Sequence, residues 1–437
     1  MEHAIVIGGS MAGLATAAAL ASRFERVTIV ERKPVPDGVA SVAPHGRLPH
    51  VLLRGGFDAL SRLLPGLLEE MHAAGATLST AARGRWWSGG WRMRPDSDAI
   101  APLATRGLLE TVVRRRVLAL PNVAIQRGLV EGLVMADGAV RGLRVAGEEL
   151  AADLVVDCGG RGSGLPEWLV TAGFAAPTVS EAHVDVFYRA LMFERRADDL
   201  DGDLFMVIQN IAPAKRLGLA LAVENNRWLL LCGAYFGERP PDDIAGITKF
   251  AESLPVRDLA DLIRGRELVA EPTSYRFTSS RRVSYPALPP GLAVIGDAHA
   301  SFNPLYGQGM SVAALQAERL GQLIDRGIAQ LADRAHRELA AIADRAWQIA
   351  VGADFAYGET RGDKPRGVDR RNAYIRRVFA ACTVDPVVSR AMMEVQNMLA
   401  PPTSLLSPPM IARVLWGSRR ARRRAVGASL QLSKNVA

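Results

Sequence analysis

Residues 4–31, AIVIGGSMAGLATAAALASRFERVTIVE, carry the pattern from which the rest of the reading follows. A short apolar run, Ala4 to Ile7, enters a cluster of small residues, Gly8, Gly9, Ser10, Met11, Ala12 and Gly13, and the chain then takes up the spacing of a small-residue helix. A β-branched run, Val27 to Val30, follows and closes on Glu31. The order is strand, tight turn, helix, strand, with an acid about 20 residues past the turn, where a dinucleotide-binding unit holds a ribose hydroxyl. Gly8 allows the turn, and Gly13 lets helix and strand lie close together. Ser10 stands where the strict pattern has its second glycine, but is still small enough for a pyrophosphate to approach the backbone. Through Met11 and Ala12 the helix start turns free N–H groups and its positive dipole end to the phosphates. Residues 4–21 are almost wholly apolar, yet no basic stretch precedes them and Gly-Gly-Ser interrupts them. They are read as mature structure, not as a signal peptide or anchor.

A chain of 437 residues, 49% of them hydrophobic, has room for two or three domains with large cores. Cys158, Cys232 and Cys382 are far apart and odd in number, which suggests neither a disulfide framework nor a zinc site and fits a reducing cytoplasm. No other stretch approaches the roughly 18 continuous apolar residues of a spanning helix. A net charge of +8 raises nucleic acid or anionic lipid as partners. The arginines are scattered, however, and no RNA-binding aromatic motif or helix-turn-helix pattern accompanies them, so no nucleic-acid partner is expected. The dense run Arg419, Arg420, Arg422, Arg423 and Arg424 reads first as a solvated tail and second as a peripheral membrane or polyanion contact.

After Glu31 a Pro-, Gly- and Ala-rich loop ends in PHGRLPHVLLRGG and delivers Arg47 and His50 to a helix beginning near Leu52. Residues 55–75 have helical spacing, interrupted by Pro65 and stopped by Gly75. RGRWWSGGWRMR is a hairpin candidate bending at Gly89 and Gly90, with Trp86, Trp87 and Trp91 either lining a pocket or packed on a sheet. Thr105 can cap a helix with Arg106 in its first turn. Strands follow at 123–126, 129–135 and 139–145, the last pair turning at Asp137-Gly138. AADLVVDCGGRGS, residues 151–163, is a buried strand entering a further glycine turn and suggests a return to the first sheet. From Val184 the texture becomes that of alternating antiparallel strands, with a turn at Asn225-Asn226. GLAVIGDAHASFNPLYGQGMSVAALQAERLGQLI, residues 291–324, holds a short strand, Gly296-Asp297, a polar loop, and a helix entered through Gly307, Gln308, Gly309 and Met310. Two glycines at that helix mouth permit a planar ligand to approach the backbone.

The glycine cluster at 8–13, GRLPH, Arg106, DCGGRGS and above all GDAHASFNPLYGQGM, in this order, resemble the FAD-dependent monooxygenase superfamily of para-hydroxybenzoate hydroxylase type. Within it they are most similar to the flavin epoxidases of bacterial polyether pathways. The likeness spans residues 1 to about 325. It implies an α/β fold with a Rossmann-like FAD-binding domain over 1–177 and 280–345, an antiparallel substrate-binding sheet over 178–279 to which the 80–100 hairpin may be added, and a helical C-terminal region over 346–437. It also implies that Glu31 and Arg32 hold the adenosine end of FAD, that Arg47, Arg106 and Val130 lie along the cofactor, and that Asp297 holds a ribityl hydroxyl. Pro304, Gly307, Gly309 and Met310 would sit beside the isoalloxazine. Tyr188, Phe302, Leu305 and Tyr306 are the pocket-lining candidates.

The chemistry so implied is transfer of one oxygen atom from O2, through a flavin C4a-hydroperoxide, to a lipophilic alkene or aromatic ring, in secondary metabolism. No protein side chain is marked as catalytic. Epoxidation needs no strong base, and no histidine or carboxylate is singled out by the sequence for ionising a phenol. Gly159-Gly160 replaces the Asp-Gly pair of many relatives, which puts direct NADPH use in question: NADPH or NADH would act directly or through a separate flavin reductase. His299 is shifted by one position from the histidine of the relatives' GDAAH and reads as structural. The WxWxIP signature of tryptophan halogenases is absent, and Lys33 is the only lysine before Lys215. The alternative activities are a geranylgeranyl-reductase-type reductase or dehydrogenase on the same fold and a non-enzymatic nucleotide-binding module.

Overall fold

The computed structural model describes residues 1–34, 38–41, 46, 48–88, 91–93, 99–327 and 331–434. Five parallel strands form the first sheet, in the order Leu292–Val294, Leu154–Asp157, His3–Ile7, Arg26–Glu31 and Val123–Arg127. The run at 154–157 returns to this sheet beside the first strand, Ala4 opposite Leu154. Side-chain alternation explains how the sheet is covered. Ala4 and Val6 face the helices Met11–Ala21, Arg106–Leu118 and Gly309–Asp325, whereas Ile5 and Ile7 face a core shared with Val140, Leu143 and Val145 of a three-stranded sheet.

Local chemistry sets the element ends. Thr105 caps its helix, its hydroxyl accepting from the Leu108 N–H at 3.2 Å. The helices Arg54–Leu63 and Leu67–Ala73 part at Pro65-Gly66. Asp137-Gly138 and Asn225-Asn226 both have positive φ, the mirror-image turn that matches strand twist.

The second large sheet is antiparallel except for one pair. Its path runs through Ala300–Ser301, Thr273–Ser284, Thr178–Glu194, Arg227–Tyr235, Arg216–Val223, Phe205–Gln209, Gly84–Ser88 and Trp91–Met93. The early hairpin joins it through a parallel pairing of Gly84–Ser88 with Phe205–Gln209, while its bend at 89–90 lies outside the described residues. Leu191, Phe193, Met206 and Leu230 pack under the helices Ile244–Glu252 and Asp258–Ile263. The opposite face, with Tyr188, Leu217, Leu221, Leu231 and Tyr235, turns toward the first domain.

Two expected boundaries fall inside elements. Strand Thr273–Ser284 crosses residue 280, and helix Leu331–Asp354 runs unbroken through 345. The C-terminal region consists of the helices Val368–Cys382, Pro386–Gln396 and Pro408–Lys434. The basic run lies on the last of these helices with Arg419, Arg420, Arg422 and Arg423 exposed, and the start of that helix is anchored by buried Val414 and Ser418. Among the described residues no helix is long and apolar enough to cross a membrane, and no cluster of side chains could hold a metal ion. All three cysteines are free and buried.

Candidate active site

The first glycine turn is closely built. Gly8 has φ +96°, and a Cβ at Gly13 would lie 1.8 Å from the Gly8 carbonyl oxygen, so helix and strand approach to a distance that only glycine tolerates. The Glu31 carboxylate closes the lip, accepting from the Gly9 N–H at 2.7 Å and the Lys33 N–H at 2.9 Å. Ser10 precedes the helix in extended conformation. Its hydroxyl donates to Glu110 and accepts from Arg106 Nη2, both at 3.1 Å. Glu110, wholly buried, also accepts from Arg114 at 2.9 Å and from the Ser41 hydroxyl at 2.7 Å. The Thr105-capped helix thus fixes a pair of arginines and one acid behind the turn. Arg32 is exposed beyond Glu31, and Val130 is half-buried at the start of strand Val130–Ala136. Arg47 lies outside the described residues. His50 is described: its Nδ1 is 2.8 Å from the Leu48 carbonyl oxygen, on the cavity wall below.

The second glycine turn meets the first. Gly296 has φ +71°, and a Cβ there would be 3.1 Å from that of Ala12. Its N–H donates to Gln316 Oε1 at 2.8 Å, tying the turn to the helix Gly309–Asp325. Asp297 is exposed between buried Gly296 and Ala298, its carboxylate facing open space. Desolvation raises its pKa, and the fields of Arg106 and Arg161 draw it back. Gly307, at φ +66°, ends the turn Pro304–Tyr306 and opens the helix mouth, and Gly309 stands above Asp297, 3.7 Å from its Oδ1 by the position of an added Cβ. Met310 packs part-buried on the first core. Buried Gln308 has no hydrogen-bond partner for its Oε1. A glycine-lined mouth, an orphaned amide oxygen and a carboxylate facing open space fit the polar edge and polyol chain of a flavin.

Beside this mouth lies a cavity of about 810 Å³. Pro304, Leu305, Tyr306, Gly307 and Gln308 form one wall and Tyr188, Phe205, Val207, Leu219 and Leu221 of the large sheet another, with Trp86 among the remaining lining. Phe302 corrects the sequence reading: it is buried against Trp347, ring centroids 6.5 Å apart, and is not on the wall. The strand alternation sends Leu191 and Phe193 to the far face, away from the cavity.

A buried polar network behind Tyr306 was not evident from the sequence. The Tyr306 hydroxyl and the Asn303 amide each donate to Asp354 Oδ1 at 3.0 Å, and Asn303 also donates to the Tyr235 hydroxyl at 2.9 Å. Tyr357 stacks on Tyr235 at 4.8 Å between centroids. Asp354 is fully buried, its Oδ2 has no partner, and burial pushes its carboxyl up to about 7. The available signal was an acid on the apolar face set by Ala346, Trp347, Ala350 and Val351, an expensive position unless polar neighbours converge on it. Elsewhere, Asp157 is held inward by the Gly159 N–H at 2.8 Å and the Ser163 hydroxyl at 2.5 Å, burial raising it to about 6. His299 is buried, its pKa lowered to about 4 by desolvation, and off the cavity wall.

A parallel nucleotide-type sheet with two converging glycine turns, joined to a broad antiparallel sheet over an apolar cavity, is a fold shared with flavin-dependent enzymes of known structure. The flavin-dependent brominase Bmp2 superposes with a TM-score of 0.68 at 15% identity, covering 97% of this chain and 100% of that one. The oxygenase of 2-methyl-3-hydroxypyridine-5-carboxylic acid superposes with a TM-score of 0.57 at 20% identity, over 82% of this chain and 91% of that one. No family model matches the chain. The chain belongs to the family of Protein Rv3254 of Mycobacterium tuberculosis strain H37Rv, with which it is 30% identical over 446 aligned positions, 95% of this chain and 93% of that protein.

Proposed function

We propose that this protein is an FAD-dependent monooxygenase that places one oxygen atom of O2 on an electron-rich carbon of a lipophilic substrate, an alkene or an aromatic ring. The observation that carries the reading is the meeting of the turns at Ala12 and Gly296 beside an apolar cavity. In this reading Gly8, Ser10, Met11, Ala12, Gly13 and Arg106 hold the diphosphate, with Arg47 and Val130 beside it, and Glu31 and Arg32 take the adenosine end. Asp297 takes a ribityl hydroxyl, and Pro304, Gly307, Gln308, Gly309 and Met310 take the ring. When bound, FAD supplies the activation of O2 and the oxygen transfer.

The chain supplies the rest. The helix mouth at Gly309 stabilises negative charge at the ring edge. The cavity wall orients the substrate and excludes water. Tyr306 holds a proton at that wall, backed by Asp354. Electrons are assigned to NADPH or NADH, acting directly or through a separate flavin reductase. A cytoplasmic location, with the basic run touching membrane surfaces, completes the reading.

The test is to reconstitute the chain with FAD and supply NADPH or NADH, with and without a free flavin reductase, together with isotopically labelled O2 and a lipophilic alkene. Label in the product, with O2 uptake coupled to substrate, supports the reading. A saturated or desaturated product without O2 uptake replaces it with a reductase or dehydrogenase, and a colourless chain after reconstitution removes the flavin altogether.

A further inference from the structure

The cavity reaches beyond the two sheets into the C-terminal helices, where Arg371, Arg376 and Arg390 line it together with Glu394. Gln348, Ile349, Gly352 and Ala353 of helix Leu331–Asp354 face Arg371, Asn372 and Arg376 of helix Val368–Cys382 across it. Asn372 ties the helices together, its amide donating to the Gly352 carbonyl at 2.7 Å. Gly352 leaves the space that the Arg371 guanidinium occupies: a Cβ there would stand 2.7 Å from Nη2. That nitrogen is buried and has no hydrogen-bond partner. Desolvation lowers the Arg371 pKa, and among the described residues no acid offsets it. Most buried guanidinium groups in folded proteins are met by a carboxylate or carbonyl, because leaving the charge uncompensated is costly. The other arginine on the sheet-side rim, Arg54, has such a partner in Asp58 at 2.6 Å.

We propose that Arg371, set against Gly352 at the helical end of the cavity, binds a carboxylate carried by the lipophilic substrate. The substrate would then be an amphipathic acid, its apolar body along Leu217, Leu219 and Leu221 and its anionic end on the C-terminal helices. A guanidinium presents two parallel N–H donors that match a carboxylate, and a charge-assisted pair of this kind is worth about 1.5–3 kcal/mol, or roughly 10- to 150-fold in affinity. The inference rests on the monooxygenase reading only in taking this cavity as the substrate chamber.

The experiment measures equilibrium binding of oleate and of retinoate, each against its methyl ester, to the full FAD-reconstituted chain, read through tryptophan fluorescence, since Trp86 lines the cavity. Wild type is expected to prefer each acid over its ester by at least about tenfold, a preference that shrinks with added salt. Arg371→Gln is expected to lose that preference while keeping the affinity for the ester, and the unchanged ester affinity reports an intact cavity. Equal binding of acid and ester by wild type overturns the inference without any variant, as does failure to bind either acid, or a preference that survives in Arg371→Gln. Flavin content is read separately by absorbance. A chain that prefers the acids but holds no flavin keeps this inference and sinks the monooxygenase reading, whereas a competent oxygenase that is indifferent to the carboxylate does the reverse.

Discussion

Replacing Gly13 by alanine tests the part of the structure on which phosphate binding depends. The added methyl would stand 1.8 Å from the Gly8 carbonyl oxygen, whereas ordinary van der Waals contact begins at 3.4 Å. The obstacle is backbone at the end of the first strand, so no side chain can rotate out of the way, and the helix Met11–Ala21 has to draw back by more than an ångström. Overpacking of this kind costs about 1–3 kcal/mol. At about 2–4 °C per kcal/mol for domains of this size, the apparent Tm is expected to fall by roughly 2–12 °C. The retreat also carries the free N–H groups of the helix start away from the diphosphate. Losing one such charge-assisted bond would weaken FAD binding by about 10- to 150-fold. Thermal denaturation of the apoprotein and FAD titration by flavin fluorescence measure the two effects separately. Gly132→Ala is the control: a Cβ there meets nothing within 4 Å, and its effect is expected to stay within about 0.5 kcal/mol. A Gly13→Ala chain with wild-type Tm and wild-type FAD affinity would refute the account of the turn.

Asp297→Ala removes the carboxylate that faces open space below the helix mouth and is expected to weaken flavin retention sharply with little change in Tm; unchanged FAD content in the folded variant refutes its assignment. Asp354→Asn concerns pH. A carboxyl raised in the folded state from 3.8 to about 7 binds its proton more tightly there than in the unfolded chain, so its stabilising contribution is complete below about pH 4 and is lost as pH rises to about 7. Asparagine cannot titrate, so the urea midpoint of the variant relative to wild type is expected to climb across that window and then level off, and a difference that is equal at about pH 5 and about pH 8 would show that Asp354 does not titrate as its burial requires.

Much of the frame was legible because it depends on short-range chemistry. Gly8 and Gly13 mark a turn by their own backbone freedom, Thr105 announces a cap, and alternation in 184–194 and 216–235 dictates strands whose two faces are buried differently. The return of 154–157 to the first sheet followed from an unbroken apolar run of the kind a parallel strand requires. Other features depend on where distant segments end up. Phe302 sits in the same motif as Tyr306, yet the register of Ala300–Ser301 against Thr273–Ser284 turns it toward Trp347 and away from the cavity. Charge spacing marked the basic run as solvated but says nothing about how its helix is anchored, and Val414 supplies that anchor only once the helices Val368–Cys382 and Pro386–Gln396 are in place.

By itself, then, the chain determined the nucleotide-type sheet, the two glycine turns and the strands of the antiparallel sheet, since each is written in contiguous residues whose preferences agree. Tertiary structure alone decided that Gly296 would lie against Ala12, that Asp354 would collect Tyr306 and Asn303, and that the Arg371 Nη2 at the cavity would be left without a hydrogen-bond partner among the described residues. These are pairings between residues from tens to hundreds of positions apart, and they come together only when packing of the apolar faces has set the distances between the elements that carry them.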